Sequence, residues 1–171
     1  MREDLKEIKD RAVDLLAGKR CWHVSSGGAA GTTFQLALGK KIARKRPLRG
    51  VQHSAEYRHF EGEVILVAWC SWRLEADGRA TTGSGDSSAA AARALKVLLG
   101  QSIVAAKIPV PSWELSVAFT SGLSLSLFPD HVGAEPIFPD NWELWGPQEV
   151  IVVAANGQVN MAQRSRREAP G

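Results

Sequence analysis

The chain has 171 residues, of which 44% are hydrophobic and 23% charged, a composition typical of a globular protein and not of a disordered one. The longest apolar run, Val64 to Trp69, is far shorter than the roughly 20 residues that a membrane-spanning helix needs, so no membrane association is expected. The opening residues are charged and lack the apolar segment of a signal peptide, which predicts a cytoplasmic protein.

The first predicted element is an amphipathic helix of about four turns that ends near Gly18. The apolar residues of this segment then change to a period of two, and residues 21–26 and 32–38 indicate two strands joined by the glycine-rich loop GGAAG. The apolar residues of the helix form one helical stripe, which consists of Leu5, Ile8, Ala12, Leu15 and Leu16.

A basic stretch follows at residues 39–50, GKKIARKRPLRG, where six of ten consecutive positions are cationic and none is acidic. Mutual repulsion predicts that these side chains are exposed. Two interpretations are open: a charged strand end that complements an acidic neighbour or partner, or a nucleic-acid-binding stripe. Five or six phosphate contacts would give a slope of log affinity against log salt of roughly −4 to −5 on duplex DNA. The stripe would consist of Lys40, Lys41, Arg44, Lys45, Arg46 and Arg49.

The segment HSAEYRH places His53, Glu56 and His59 at every third position, and all three side-chain types can bind zinc. A strand would send Glu56 to the opposite face, and a helix would spread the three over about 120°, so only an irregular loop could gather them. We expect a solvated loop and no cofactor, and we keep a metal-dependent enzyme built on these residues as a second alternative.

The middle of the chain begins with residues 63–75, EVILVAWCSWRLE, which indicate one long central strand because both faces are apolar for half its length. An Asp-Gly turn at Asp77 leads into a short strand, and an alanine-rich helix runs from about Ser88 to Leu99. Five further strands follow in hairpins with TSG and NG turns; they are SIVAAKI, WELSVAF, LSLSLF, VIVVAA and QVNMA.

This order predicts an α+β fold: a largely antiparallel sheet of about seven to nine strands with two helices, one N-terminal and one central, on one face. We expect a single domain over residues 1–163 and a flexible tail over residues 164–171. Cys21 and Cys70 lie in predicted strands and are expected to be reduced core thiols.

The segment FPDNWELWGP is bounded by prolines and combines two tryptophans with two acids. Exposed aromatic side chains beside carboxylates are typical of protein-binding surfaces, whereas a lid over one end of the core would bury them. Both interpretations are open. The partner-binding residues would be Trp142, Trp145, Asp140 and Glu143.

The charges of the chain are segregated along the sequence. Residues 15–55 carry eight cationic side chains and no acid, whereas the ionisable residues between Lys107 and Arg164 are six acids and one histidine. Either the two segments neutralise each other across neighbouring strands, or they form a dipolar surface that steers a partner.

Five motifs occur in the order VSSGG…GTTFQLALGKKI, GEVILVAWCSWRLE, LLGQSIVAAKI, WELSVAFTSGLSLSLF and NWELWGP. This order resembles small bacterial domains of unknown function, some of which are found beside polymorphic toxins and are suspected immunity proteins. The resemblance covers roughly residues 20–160 and rests on strand and turn patterns, so it implies a compact α+β domain and no active-site residue.

His23, His131, Ser25 and Ser26 do not form a recognisable set of nucleophile, base and orienting group in the sequence, so we assign them no catalytic role. The leading hypothesis is therefore a non-catalytic domain that binds another protein, with nucleic-acid binding as the alternative. Free sheet edges also make a homo-oligomer possible.

Overall fold

The computed structural model describes residues 3–27, 31–132 and 140–165. These residues form three α-helices, one short 3₁₀ helix at Lys96–Leu98 and eleven strands. The helices are α1 (Glu3–Leu16), α2 (Ala55–His59) and α3 (Ser88–Leu95). The strands are β1 (Cys21–Ser26), β2 (Phe34–Ala43), β3 (Phe60–Ala68), β4 (Ser71–Ala76), β5 (Arg79–Gly83), β6 (Ile103–Lys107), β7 (Leu115–Phe119), β8 (Leu123–Phe128), β9 (Asp140–Trp145), β10 (Glu149–Ala154) and β11 (Val159–Gln163).

The strands form two sheets whose neighbouring strands are all antiparallel. One sheet has six strands in the order β1-β2-β3-β9-β10-β11, and the other has five in the order β5-β4-β8-β7-β6. The α+β class and the antiparallel pairing are therefore confirmed. The prediction of one sheet with seven to nine strands and two helices is wrong, because the described residues alone contain two sheets, eleven strands and three α-helices.

The single long strand predicted over residues 63–75 is wrong for an instructive reason. The chain leaves the six-stranded sheet after Ala68 and enters the five-stranded sheet at Ser71. At the bend, the backbone N–H groups of Trp69 and Cys70 both donate to the carbonyl of Asn141, at 2.9 and 3.0 Å. One row of side chains nevertheless stays buried through the bend: Val64, Leu66, Ala68, Cys70, Trp72 and Leu74.

That buried row shows that the core lies between the two sheets, as in a β-sandwich. Phe34 of the first sheet packs edge-to-face on Trp72 of the second, with ring centroids 5.4 Å apart. Cys21 and Cys70 are buried free thiols in this core, and burial raises the pKa of each to about 12. Both thiols are therefore protonated and unreactive at neutral pH.

The prediction that the helices lie on one face of a sheet is wrong. The two longer helices lie at the two open sides of the sandwich. Helix α1 contacts the edge strands β6 and β11 and buries Ile8, Ala12, Leu15 and Leu16. Helix α3 contacts β1 and β5 at the opposite side, where Ala91 permits close approach. No helix in the described ranges is long and apolar enough to span a bilayer.

One segment lies outside the sandwich. Residues 44–59, including α2, lie on the face of the six-stranded sheet that points away from the core, and Tyr57 of α2 is only 2% exposed. The phenol oxygen of Tyr57 accepts a hydrogen bond of 2.7 Å from Gln35 on β2. Ser54 caps α2 by accepting from the backbone N–H of Tyr57. Tyr57 thus attaches this segment to the sheet.

Candidate partner-binding face

The outward-pointing side chains of the six-stranded sheet form two rows that cross the strands. Strand pairing aligns Ser25, Gln35, Val67, Glu143 and Val152 in one row. It aligns His23, Ala37, Ile65, Trp145 and Val150 in the next. We call this surface the outer face of the six-stranded sheet.

A carboxylate held between two indoles occupies the middle of this face. Glu143 accepts a hydrogen bond of 2.9 Å from Trp69 Nε1 on one oxygen and one of 2.7 Å from Trp145 Nε1 on the other. All three side chains are half-buried. The two N–H donors fix the carboxylate in one orientation while part of each ring remains open to solvent. We call these three residues the tryptophan–glutamate clamp.

The four predicted partner-binding residues divide between the two sides of β9. Trp142 points into the core, is completely buried and donates from Nε1 to the carbonyl of Trp113 at 2.9 Å. Trp142 therefore has no exposed surface that a partner could contact. The alternative that this segment forms a lid over the core is also wrong, because β9 is an interior strand between β3 and β10. Strand alternation places Glu143 and Trp145 in the outward rows.

Asp140 lies at the start of β9, close to the clamp. Burial and the neighbouring Glu143 carboxylate, to which it is hydrogen-bonded, raise the pKa of Asp140 to about 6. The backbone carbonyl of Asp140 lies 3.1 Å from Nδ1 of His131. Two carboxylates this close favour a cation, or a proton, between them.

A cleft of about 500 Å³ opens beside the clamp, between the ends of β1 and β2 and the loop before α2. Its wall is apolar at Val67 and Trp69, and it carries no carboxylate, lysine or arginine side chain. Its hydrogen-bonding side chains include His23, Ser25, Ser26, Gln35, Gln52 and His53. The cleft therefore suits an uncharged polar or aromatic group that approaches the outer face.

The cleft contains one pair that sequence reasoning missed: His23 Nε2 lies 2.9 Å from Ser25 Oγ. The His23 ring also stacks on Tyr57, with centroids 3.7 Å apart and an angle of 11°. Burial, and then the nearby His53 and Arg44, lower the pKa of His23 to about 4. The period-two pattern of β1 could have revealed this pair, because residues two apart on a strand share a face.

The basic stretch is partly neutralised by acids that come shortly after it in sequence. Lys41 pairs with Glu56, and Arg44 lies 3.5 Å from Glu61 with its side chain only 6% exposed. Arg44 Nε also donates to the carbonyls of Tyr57 and Phe60 at 3.1 Å. Four of the six predicted nucleic-acid contacts remain exposed and make no ion pair in the described ranges; they are Lys40, Lys45, Arg46 and Arg49.

Arg164, the first residue of the predicted tail, is bonded to the sandwich. Its guanidinium donates to Glu61 and to the carbonyl of Gly146, both at 3.0 Å, and lies 5.9 Å from the centroid of the Trp145 ring. Residues 166–171 of that tail lie outside the described residues. Glu61 therefore links the basic stretch, through Arg44, to the clamp, through Arg164.

The structure does not bring the possible metal ligands together. His53 lines the cleft, Glu56 pairs with Lys41 and His59 is the last residue of α2. The described part of the chain contains no group of three or more His, Cys, Asp or Glu side chains that could hold a metal ion.

Comparisons with protein-family models, curated proteins and solved structures found no match for this chain.

Proposed function

We propose that the protein is a non-catalytic binding domain that recognises another protein through the outer face of its six-stranded sheet. The tryptophan–glutamate clamp carries this proposal. Tryptophan is enriched among the residues that dominate binding energy at interfaces, and two indoles flank one oriented carboxylate on this face. Because hydrogen bonds already fix the three side chains, little side-chain entropy remains to be lost on binding.

The charges around the clamp indicate the chemistry of the partner. Glu143 is flanked by Asp140, whose pKa is raised by burial and then by the Glu143 carboxylate, and a cationic side chain placed between the two carboxylates would relieve their mutual repulsion. Arginine suits such a position, since its planar guanidinium can bond a carboxylate and stack on an indole at the same time. The partner would thus present arginine to the clamp and an uncharged side chain to the cleft.

The geometry of His23 and Ser25 argues against catalysis at this face. A general base works best when its pKa lies near the working pH, and burial lowers the pKa of His23 to about 4. No carboxylate hydrogen-bonds this imidazole in the described residues, so the orienting group of a catalytic triad has no counterpart here. The Tyr57 ring stacked on His23 instead supports a role in shaping the cleft.

An immunity-type role is the specific form of this proposal. The clamp, with Asp140 beside it, could cover a basic, nuclease-like toxin surface and block the toxin's access to nucleic acid. The pattern-level resemblance to suspected immunity proteins motivates this form, and the clamp supplies the chemistry that it needs.

Site-specific photo-crosslinking tests the proposal. The photoreactive residue p-benzoylphenylalanine would replace Val152, beside the clamp, or Ser126, on the outward side of the five-stranded sheet, and both proteins would be irradiated in an extract of the source organism. We expect one protein, identified by mass spectrometry, to be attached at position 152 and not at 126. Attachment of the same proteins at both positions, or of none, would contradict the proposal.

Nucleic-acid binding is the second candidate, favoured by the four cations that remain exposed. Four phosphate contacts would give a slope of log affinity against log salt of roughly −3 to −4 on duplex DNA. Replacing Lys45 and Arg46 by glutamine should reduce that slope by about two. Undetectable binding to duplex DNA at low salt would remove this candidate.

A further inference from the structure

An open groove of about 1070 Å³ lies at the edge of the sandwich and is lined by residues of α1 and β11. β11 is the last strand of the six-stranded sheet, and among the described residues it pairs only with β10. The wall across the groove is the polar side of α1, whose apolar side is buried in the core. The groove therefore combines a free strand edge with a helical wall.

The hydrogen bonds at the two ends of β11 show which backbone groups are free. The N–H of Ala154 donates to the carbonyl of Gln158, and the N–H of Arg164 donates to the carbonyl of Gln148. Because hydrogen-bonded pairs alternate along an antiparallel ladder, the even-numbered residues of β11 bond to β10. The N–H and C=O groups of Val159, Met161 and Gln163 consequently point away from β10, and no hydrogen bond joins them to the described part of the chain.

The charge of the groove selects the kind of segment that could occupy it. Five carboxylates and three cationic side chains line it. Two of the cations are already engaged inside the groove, Lys6 with Asp10 at 2.9 Å and Arg11 with Glu149, and the third, Arg164, is bonded to Glu61. Three carboxylates on one stripe of α1 form no ion pair with a described residue; they are Glu3, Glu7 and Asp14.

We propose that the groove binds an extended, basic segment of a partner protein as an additional strand beside β11. The segment would pair with the outward groups of Val159, Met161 and Gln163, and its Lys or Arg side chains would meet Glu3, Glu7 and Asp14. Main-chain hydrogen bonds would supply affinity, and the side chains facing α1 would supply specificity. This inference rests on the proposed function as a protein-binding domain and adds a second place of contact.

Synthetic peptides test the proposal on the whole protein. The probe is a capped hexapeptide that alternates lysine and valine. One control replaces lysine by glutamate, and another keeps lysine but carries N-methyl groups at alternate residues, which removes its hydrogen-bond donors on one edge. In amide NMR spectra we expect the probe to shift and protect Val159, Met161 and Gln163 and both controls to leave them unchanged. Absence of binding by the probe, or equal binding by either control, would overturn the proposal.

Two protein variants sharpen the test. Met161→Pro removes one outward donor and no bond to β10, and prolines are tolerated on edge strands, so peptide binding should be lost while Met161→Ala retains it. Unchanged amide signals from β10 would verify that the Met161→Pro sheet is intact. Glu7→Gln combined with Asp14→Asn should weaken binding by roughly threefold to tenfold, since each exposed ion pair contributes little. Equal affinity of Met161→Pro and wild type would overturn the proposal.

The remaining outcomes are also decisive. If β11 pairs with β11 of a second copy, light scattering should show a dimer that Met161→Pro abolishes, and the proposed occupant would be wrong. If a protein attached at position 152 binds Met161→Pro as tightly as it binds wild type, the proposal of partner binding at the outer face is supported and the proposal of strand addition in the groove is contradicted. If the peptide binds but no protein attaches at position 152, the outer-face proposal fails and the groove remains.

Discussion

The two sheets of the sandwich share one core but present different surfaces to solvent. The outward side of the five-stranded sheet carries small side chains on β7 and β8, with Ser116 opposite Ser126 and Ala118 opposite Ser124. On β4 the same side carries Arg73, which pairs with Glu75 and lies over the Phe128 ring. The outer face of the six-stranded sheet carries two tryptophans, an oriented carboxylate and a cleft. Backbone pairing is antiparallel in both sheets. The difference shows that sheet architecture alone does not distinguish the two outward faces; the types of the outward side chains and the contacts that fix them do.

The largest effect expected on this comparison comes from Tyr57→Ala. Tyr57 is 2% exposed and attaches residues 44–59 to the six-stranded sheet, so its loss should lower the free energy of unfolding by about 3 to 5 kcal/mol. Urea denaturation measures this change. The matched control on the other sheet is Ser126→Ala, which should change stability by less than about 0.5 kcal/mol. Similar midpoints for the two variants would show that the segment is not held by Tyr57.

Arg44→Gln should have an intermediate effect. It removes the hydrogen bonds to two backbone carbonyls and the contact with Glu61, although Arg164 still neutralises Glu61. We expect a loss of about 1 to 3 kcal/mol in urea denaturation. Lys45→Gln, one residue away and exposed, should stay within about 0.5 kcal/mol of wild type. Equal effects would mean that the basic stretch is uniformly solvated and that Arg44 has no structural role.

The smallest effects expected are opposite pH dependences of stability within the outer face. The pKa of Asp140 is raised to about 6, so between about pH 4 and pH 6 the folded chain binds more protons there than the unfolded chain, and stability falls as pH rises. The pKa of His23 is lowered to about 4, so between about pH 4 and pH 6.5 the unfolded chain binds more protons, and stability rises with pH.

Single substitutions separate these two contributions. In urea denaturation across this range, the stability of Asp140→Asn relative to wild type should increase as pH rises. The stability of His23→Gln relative to wild type should decrease over the same range. A constant offset at every pH for both variants would show that neither group has a shifted pKa.

Parts of the fold were predictable because local physical rules determine them. The α1 stripe, the Asp-Gly and Asn-Gly turns and the alternating row from Val64 to Leu74 all follow from residue spacing, and the structure has each of them. The bend at Trp69 and Cys70 was not predictable, because it depends on the Asn141 carbonyl, more than seventy positions away in sequence. A row that stays apolar cannot show that its backbone changes sheets.

The candidate site was predictable only in part for the same reason. The combination of acids and tryptophans in one segment indicates Glu143 and Trp145 as site residues. Only the knowledge that this segment is a strand shows that Trp142 points to the opposite side, into the core. Trp69 could not be assigned to the site, since its hydrogen bond to Glu143 joins strands distant in sequence. The ion pair between Lys41 and Glu56 could not be predicted either, because the segregation of charge along the sequence does not specify which side chains are in contact.

The most direct test of the central claim is an amide chemical-shift map of this 18.5 kDa protein bound to the partner identified by crosslinking. We predict that shifts concentrate at Val67, Trp69, Glu143, Trp145 and Val152 and are absent at Ser116, Ser124 and Ser126. A map centred on the five-stranded sheet, or spread equally over both sheets, would contradict the account.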